Sequence, residues 1–211
     1  MREYHKIETV YERDTTGTKK LIEGQFRNPT VDYLKNLYWE WTEKIDGTNI
    51  RVHWDGHQVS FGGRTDNAQI PAPLVNRLND LFGGETNAQL FEQKFGETEI
   101  TLYGEGYGAK IQKGGGLYKS DGVDFILFDA RVGDLWLNRY SVEDIGEAFG
   151  IDVVPIVLRG DIDDAVKYVR SSPMSTIGTA PMEGLVGRPM EELRDRRGNR
   201  IIVKLKVRDF E

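Results

Sequence analysis

Between Trp39 and Phe61 the chain repeats one pattern three times, with large apolar residues alternating with polar ones. The runs are Trp39-Glu40-Trp41-Thr42-Glu43-Lys44-Ile45, Asn49-Ile50-Arg51-Val52-His53-Trp54 and Gln58-Val59-Ser60-Phe61, separated by Asp46-Gly47 and Asp55-Gly56. Successive side chains of a strand point to opposite faces, so a period of two fits half-buried strands rather than a helix. Asp-Gly between such runs is a strong hairpin signal, because both residues tolerate the left-handed backbone of a tight turn. The pattern predicts an antiparallel meander with Lys44 at the end of its first strand.

Downstream the period changes. Residues 73–82 and 88–95 place apolar side chains at intervals of three and four and are split by Gly83-Gly84, which predicts two helices. Strand patterns return at residues 99–103 and 123–128, and the Gly-rich stretch between them, ending Gly114-Gly115-Gly116, reads as a mobile loop. Ser141-Val142-Glu143-Asp144 and the stretch from Asp161 read as capped helix starts on either side of Val153-Val154-Pro155-Ile156-Val157. Strands around residues 184–187 and 201–207 close the chain. Antiparallel strands with interspersed helices make the fold class α+β. With 211 residues, 38% of them hydrophobic, and neither a repeat nor a long linker, the expectation is one domain over 1–211 around one core.

Composition narrows the chemistry. There is no cysteine, which removes disulfides, thiolate metal sites and thiol nucleophiles and leaves oxygen or His to hold any metal. No stretch reaches the roughly 20 apolar residues of a membrane helix and the first residues lack a signal-peptide core, so the expected location is cytoplasmic. A net charge of −6 argues against general affinity for polyanions, so nucleic-acid binding would need a local patch. One candidate lies near the C-terminus, where Arg188, Arg194, Arg196, Arg197, Arg200, Lys204, Lys206 and Arg208 outnumber Glu191, Glu192, Asp195 and Asp209, although a charge run is more often a solvated face.

Glu43-Lys44-Ile45-Asp46-Gly47-Thr48-Asn49 is the segment richest in chemistry. Alone it is explained equally well by an ordinary hairpin with an exposed lysine. In chain order it is followed by Phe61-Gly62-Gly63-Arg64, Leu102-Tyr103-Gly104-Glu105-Gly106, Asp124-Phe125-Ile126-Leu127-Phe128-Asp129, Glu183-Gly184-Leu185-Val186 and Val203-Lys204-Leu205-Lys206. Together these resemble the ordered motifs of the covalent nucleotidyltransferases, and with Asn49 where DNA ligases and capping enzymes carry arginine, they resemble the ATP-dependent RNA ligases of RNA repair and editing.

The resemblance implies two packed, mainly antiparallel sheets with flanking helices enclosing a nucleotide pocket, an ATP-grasp-like nucleotidyltransferase domain. It implies that Lys44 attacks ATP and carries AMP covalently, with Lys204 and Lys206 against the α-phosphate. It assigns Glu43, Ile45, Asn49, Arg64, Glu105, Phe125 and Glu183 to the nucleotide site, Glu43 reading the adenine amino group and Glu105 the ribose. Magnesium or manganese would be held by Glu183, and by Asp46 through water unless that side chain merely caps its turn. For the adenine face, Phe125 is the choice and Phe128 the rival, because alternation sends the two to opposite faces. A lysine nucleophile must be neutral although its ordinary pKa is about 10.4, and neighbouring cations supply the required depression.

The implied substrate is RNA bearing 5′-phosphate and 3′-hydroxyl ends. Lys110, Lys113 and Lys119 are further candidates for RNA phosphates. Longer members of the family add a C-terminal domain that helps engage RNA; with only a few residues after Lys206, the resemblance implies no such accessory domain here and a partner protein supplying RNA affinity. The competing readings are a DNA-sealing ligase or GTP-using capping enzyme, and a non-catalytic module that binds RNA ends.

Overall fold

The computed structural model describes residues 1–211. From the N-terminus run β1 (Glu8–Thr9), β2 (Tyr11–Arg13), β3 (Leu21–Phe26), α1 (Pro29–Tyr33) and β4 (Trp39–Lys44). Next come β5 (Thr48–Trp54), β6 (Val59–Gly62), α2 (Ala72–Phe82), α3 (Gly84–Phe95), β7 (Ile100–Gly108), α4 (Gly115–Tyr118), β8 (Val123–Val132), β9 (Leu135–Trp136), α5 (Arg139–Phe149) and β10 (Asp152–Val153). β11 (Ile156–Gly160), α6 (Ile162–Arg170), β12 (Gly184–Pro189) and β13 (Val203–Lys206) complete the chain. The class is α+β, with mainly antiparallel sheets.

These elements form two compact units, one of residues 1–5 and 46–154, here the central unit, and one of residues 6–45 and 155–211, the flanking unit. Where composition predicts one core, each unit has its own. The central sheet has the order β10-β8-β7-β5-β6, with β9 on β8. Its apolar face carries Ile50, Val52, Leu102, Phe125 and Leu127, covered by α2, α3 and α5. α2 buries Leu74, Leu78 and Phe82, one side chain per turn, which is why this stretch is a helix with a single wet face. α5 starts one turn before the expected cap: Asn138, not Ser141, is its N-cap, and the Ser141 amide is the donor it accepts.

The flanking sheet has the order β1-β13-β12-β4-β11, with a separate β2-β3 ribbon. Trp39 and Trp41 are fully buried on one face of β4, and α6 covers that core with Ile162, Ala165, Val166 and Val169 under an Asp161 cap. Burial of side chains of this size contributes about 1.5–3 kcal/mol each.

The Asp46-Gly47 pair is not the expected hairpin turn. β4 pairs with β12 and β11, whereas β5 pairs with β6 and β7, so the chain leaves one sheet at Lys44 and enters another at Thr48. Glycine is required there because a Cβ on Gly47 would sit 2.2 Å from the Gly106 carbonyl oxygen. Asp55-Gly56 is a true hairpin, with Trp54 opposite Val59. The Gly-rich stretch is also more ordered than expected: β7 runs to Gly108, α4 follows, Gln112 Nε2 donates to the Gly47 carbonyl at 2.9 Å and the Asp46 amide donates to the Tyr118 hydroxyl at 3.3 Å.

Candidate active site

In the flanking unit, Lys44 lies opposite Gly184 on β12, and Gly184 lies opposite Lys206 on β13. The next row is Thr42, Val186 and Lys204. Directly paired residues share a face, so all three lysines project from the same side of this sheet, the side opposite Trp41 and Leu205. Gly184 leaves the centre of the first row empty of side chain, and a Cβ there would lie 2.0 Å from the Leu205 carbonyl oxygen.

Glu183, immediately before that glycine, joins the two outer lysines. Its Oε2 accepts from Lys44 Nζ and its Oε1 from Lys206 Nζ, each at 2.6 Å. Burial pushes the Glu183 carboxyl up, but Lys44 and Lys206 outweigh it and hold the group below its ordinary range, so it is ionised at neutral pH. Lys204 makes no such pair. Burial, then Lys206 and Lys44, push its ammonium down. Two ammonium groups on one carboxylate carry the charge of a divalent cation, so the Glu183 oxygens suit a hard metal ion. No group of three or more His, Asp or Glu side chains converges elsewhere, so a cation at Glu183 would draw most of its ligands from water and phosphate oxygens.

Glu43 departs from its expected role. It shares the face of Trp39 and Trp41, is 1% exposed, and its carboxylate is engaged by the Ser175 hydroxyl and by the Thr176 amide at 2.9 Å and hydroxyl at 2.5 Å. Strand alternation thus turns it away from Lys44, and its oxygens are committed to the loop after α6 rather than open to an adenine amino group. Ile45 is buried, 3% exposed.

In the central unit the polar face of the sheet carries the remaining candidates. Asn49 pairs with Glu105 and Glu105 with Ile126; in the next row Arg51 pairs with Tyr103 and Tyr103 with Asp129. Asn49 Oδ1 is buried without a hydrogen-bond partner, an arrangement that costs roughly 1–3 kcal/mol unless a ligand donor meets it. Arg64 is exposed in the loop after β6. Sequence reasoning missed Arg51, which is fully buried and organises that loop, donating to the Gly63 carbonyl at 2.7 Å, the Met1 carbonyl at 2.9 Å and Asp66 at 2.9 Å. Its position two residues after Asn49 was the available signal.

Phe125 is a correction. It is 1% exposed, sits edge-on to Phe82 with ring centroids 5.4 Å apart and packs against the bare Cα of Gly104, which makes it core rather than an adenine platform. Phe128, its rival, is the residue of β8 skipped at the register shift between the Tyr103–Asp129 and Gly104–Leu127 pairs, and it packs edge-on to Tyr4 at 5.0 Å. Of the loop lysines, Lys119 is taken by Asp124 at 2.9 Å. No helix is long and apolar enough to cross a membrane.

The sequence matches the RNA ligase family model over residues 37–206. No curated protein matches by sequence search. Among solved structures, the fold is similar to that of Naegleria gruberi RNA ligase with pyrophosphate, with a TM-score of 0.63 and 21% identity over 84% of this chain and 52% of that one. A lysine-to-alanine variant of the same ligase with ATP and manganese gives a TM-score of 0.65 and 19% identity over 95% of this chain and 61% of that one. An archaeal ATP-dependent RNA ligase gives 0.66 and 14% over 100% and 49%. The chain spans between about half and three fifths of the length of these structures. From the extent of the family match, reinforced by a shared fold, this chain belongs to the RNA ligase family.

Proposed function

We propose that the chain is an ATP-dependent RNA ligase that forms a lysyl-AMP intermediate at Lys44, passes AMP to an RNA 5′-phosphate and seals that end to a 3′-hydroxyl. The observation that carries this reading is the row Lys44, Gly184, Lys206 with Glu183 bridging its ends and Lys204 beside it.

In the free protein the Lys44 ammonium is held by Glu183, so the amine must lose that partner and its proton before it can attack. Lys204 and Lys206, on the same face, meet the charge that develops on the phosphoryl oxygens. The Lys44 nitrogen then bonds to the α-phosphorus, the bond from that phosphorus to the bridging oxygen breaks, and pyrophosphate leaves. In the second step an RNA 5′-phosphate oxygen attacks the same phosphorus and frees Lys44. In the third a 3′-hydroxyl attacks the activated 5′-phosphate and AMP departs.

Positioning and charge stabilisation supply the rate, as in other phosphoryl transfers. A divalent cation would be held by Glu183, with Asp46 as a second contact through water, and would supply charge that offsets the phosphates and competes with Lys44 for the Glu183 carboxylate. Asn49, Arg64 and Glu105 engage the nucleotide, the orphaned Asn49 oxygen being the acceptor in need of a donor. Phe128, rather than Phe125, meets the base.

The test is incubation with α-labelled ATP and magnesium or manganese, followed by denaturation. Label stays on the wild-type chain, is absent from Lys44→Ala, and is not acquired from GTP. Transfer of that label to 5′-phosphorylated RNA and sealing of an RNA nick follow; label that survives Lys44→Ala overturns the reading.

A further inference from the structure

The flanking unit contains a cleft of about 640 Å³ whose charge is opposite to that of the molecule. One wall comes from the N-terminal strands and carries Lys6, Arg13, Lys19, Lys20 and Arg27. The other comes from β13 and the turn that follows it, with Lys204, Lys206 and Arg208. Against these cations stand Glu8 and Asp209 alone, in a chain whose net charge is −6.

Three features separate this cleft from an ordinary solvated charge run. The acids it contains act as spacers: Glu8 takes Arg27 at 2.6 Å and Lys6 at 3.6 Å, and Asp209 takes Arg13 at 2.8 Å, while Lys19, Lys204 and Arg208 have no carboxylate partner. The rim is prebuilt, because Asp14 accepts from the backbone amides of Thr16, Gly17 and Thr18 at 2.8, 3.1 and 2.8 Å and so fixes the β2-β3 loop. That loop holds Lys19 in the left-handed backbone region at φ 56°, a conformation few lysines adopt. Finally, this wall adjoins the reacting row, since Lys206 belongs to both and Lys204 lies in the next row on the same face.

We propose that this cleft is the docking groove for the phosphodiester backbone of the RNA strand. The inference rests on the ligase reading, whose site it extends along the lysine face. Cations spaced on two walls and held apart by their own acids suit successive phosphates of a strand; a single polyphosphate would need them to converge. Arg and Lys contacts to phosphate fix register without reading bases, so the groove would be indifferent to sequence and sensitive to salt.

The experiment measures binding of a fluorescent, 5′-phosphorylated single-stranded RNA by anisotropy without ATP, across a salt series. The chain is compared with Lys6→Gln/Lys20→Gln/Arg208→Gln, which removes exposed cleft cations, and with the charge-matched control Lys35→Gln/Arg159→Gln/Lys167→Gln. Thermal unfolding establishes that both fold. The cleft variant is expected to bind about tenfold more weakly and to lose about 2 from the slope of log affinity against log salt, while the control behaves as wild type. Labelling of Lys44 by ATP stays unchanged in the cleft variant. RNA binding equal to wild type overturns the proposal, and so does loss of labelling with RNA binding intact, which would make the cleft a polyphosphate site. If wild type fails to label at all, the ligase reading falls, while the anisotropy still reports on the groove.

Discussion

Lys44 Nζ lies 2.6 Å from Glu183 Oε2, and the other oxygen of that carboxylate holds Lys206 at the same distance. The nucleophile of the proposed reaction is therefore stored as one half of an ion pair, with its side chain 25% exposed. Glu183 has two roles in this arrangement: it holds the Lys44 side chain in an ion pair in the free protein, and it is the carboxylate a divalent cation would claim.

The pairing makes Glu183 a source of acid sensitivity. Its carboxyl is held below the ordinary value near 4.3, so its contribution to stability is complete above that value and is lost as pH falls through the folded-state pKa. Glu183→Gln is expected to be less stable than wild type by about 1–3 kcal/mol at pH 7, with the difference closing below about pH 4. Denaturant unfolding at several pH values checks this, and a gap that persists unchanged into acid contradicts the ion-pair account.

Lys204 is charged at a cost. Burial and two like charges push its ammonium down, so the folded chain binds that proton less tightly than the unfolded one. The penalty is present wherever both states are protonated and fades as pH rises through the folded pKa towards about 10.4. Lys204→Met should therefore raise Tm by about 2–4 °C at pH 7 and by less at alkaline pH, while slowing the labelling of Lys44 by tenfold or more. A lower Tm for the variant would show that Lys204 is a structural cation.

Asn49 makes a parallel prediction in the central unit. Its buried Oδ1 has no partner, so Asn49→Ala removes an unsatisfied acceptor and should leave thermal stability unchanged or slightly increased. If that oxygen is kept for the nucleotide, the same change raises the KM for ATP in the labelling reaction about tenfold. A drop in Tm with an unaltered KM would assign Asn49 to the fold alone.

Phe125 is expected to behave oppositely. Truncation to Ala at a core site of this size costs about 3–5 kcal/mol, and Phe125→Leu should lower Tm measurably with no more than a twofold change in the KM for ATP. A large KM effect at unchanged Tm would restore Phe125 as the base platform.

Local pattern was enough for much of this. Period-two alternation reports which residues share a strand face, and it placed Lys204 with Lys206 and Asn49 apart from Ile50 without any knowledge of partners. The helical stripes ending at Gly83 and the Asp161 cap were equally local, since each element's signal lies within a dozen residues. Motif order along the chain supplied the candidate lysines and Glu183.

Pairing partners were a different matter, because a strand's own sequence does not say which sheet it joins. Asp46-Gly47 has the chemistry of a hairpin turn, yet β4 finds its neighbours more than a hundred residues away in β11 and β12, and only those long-range pairings make it a crossing between sheets. The same limit hid the bridge at Glu183, the burial of Arg51 and the cleft that joins Lys6 to Arg208. Sequence determined the residue types and the faces they occupy; tertiary structure decided which faces meet, and with them which charges are paired, which are buried and which are left for a ligand. The physical reason is that charge, burial and hydrogen bonding depend on distance in space, whereas alternation and capping depend on distance along the chain.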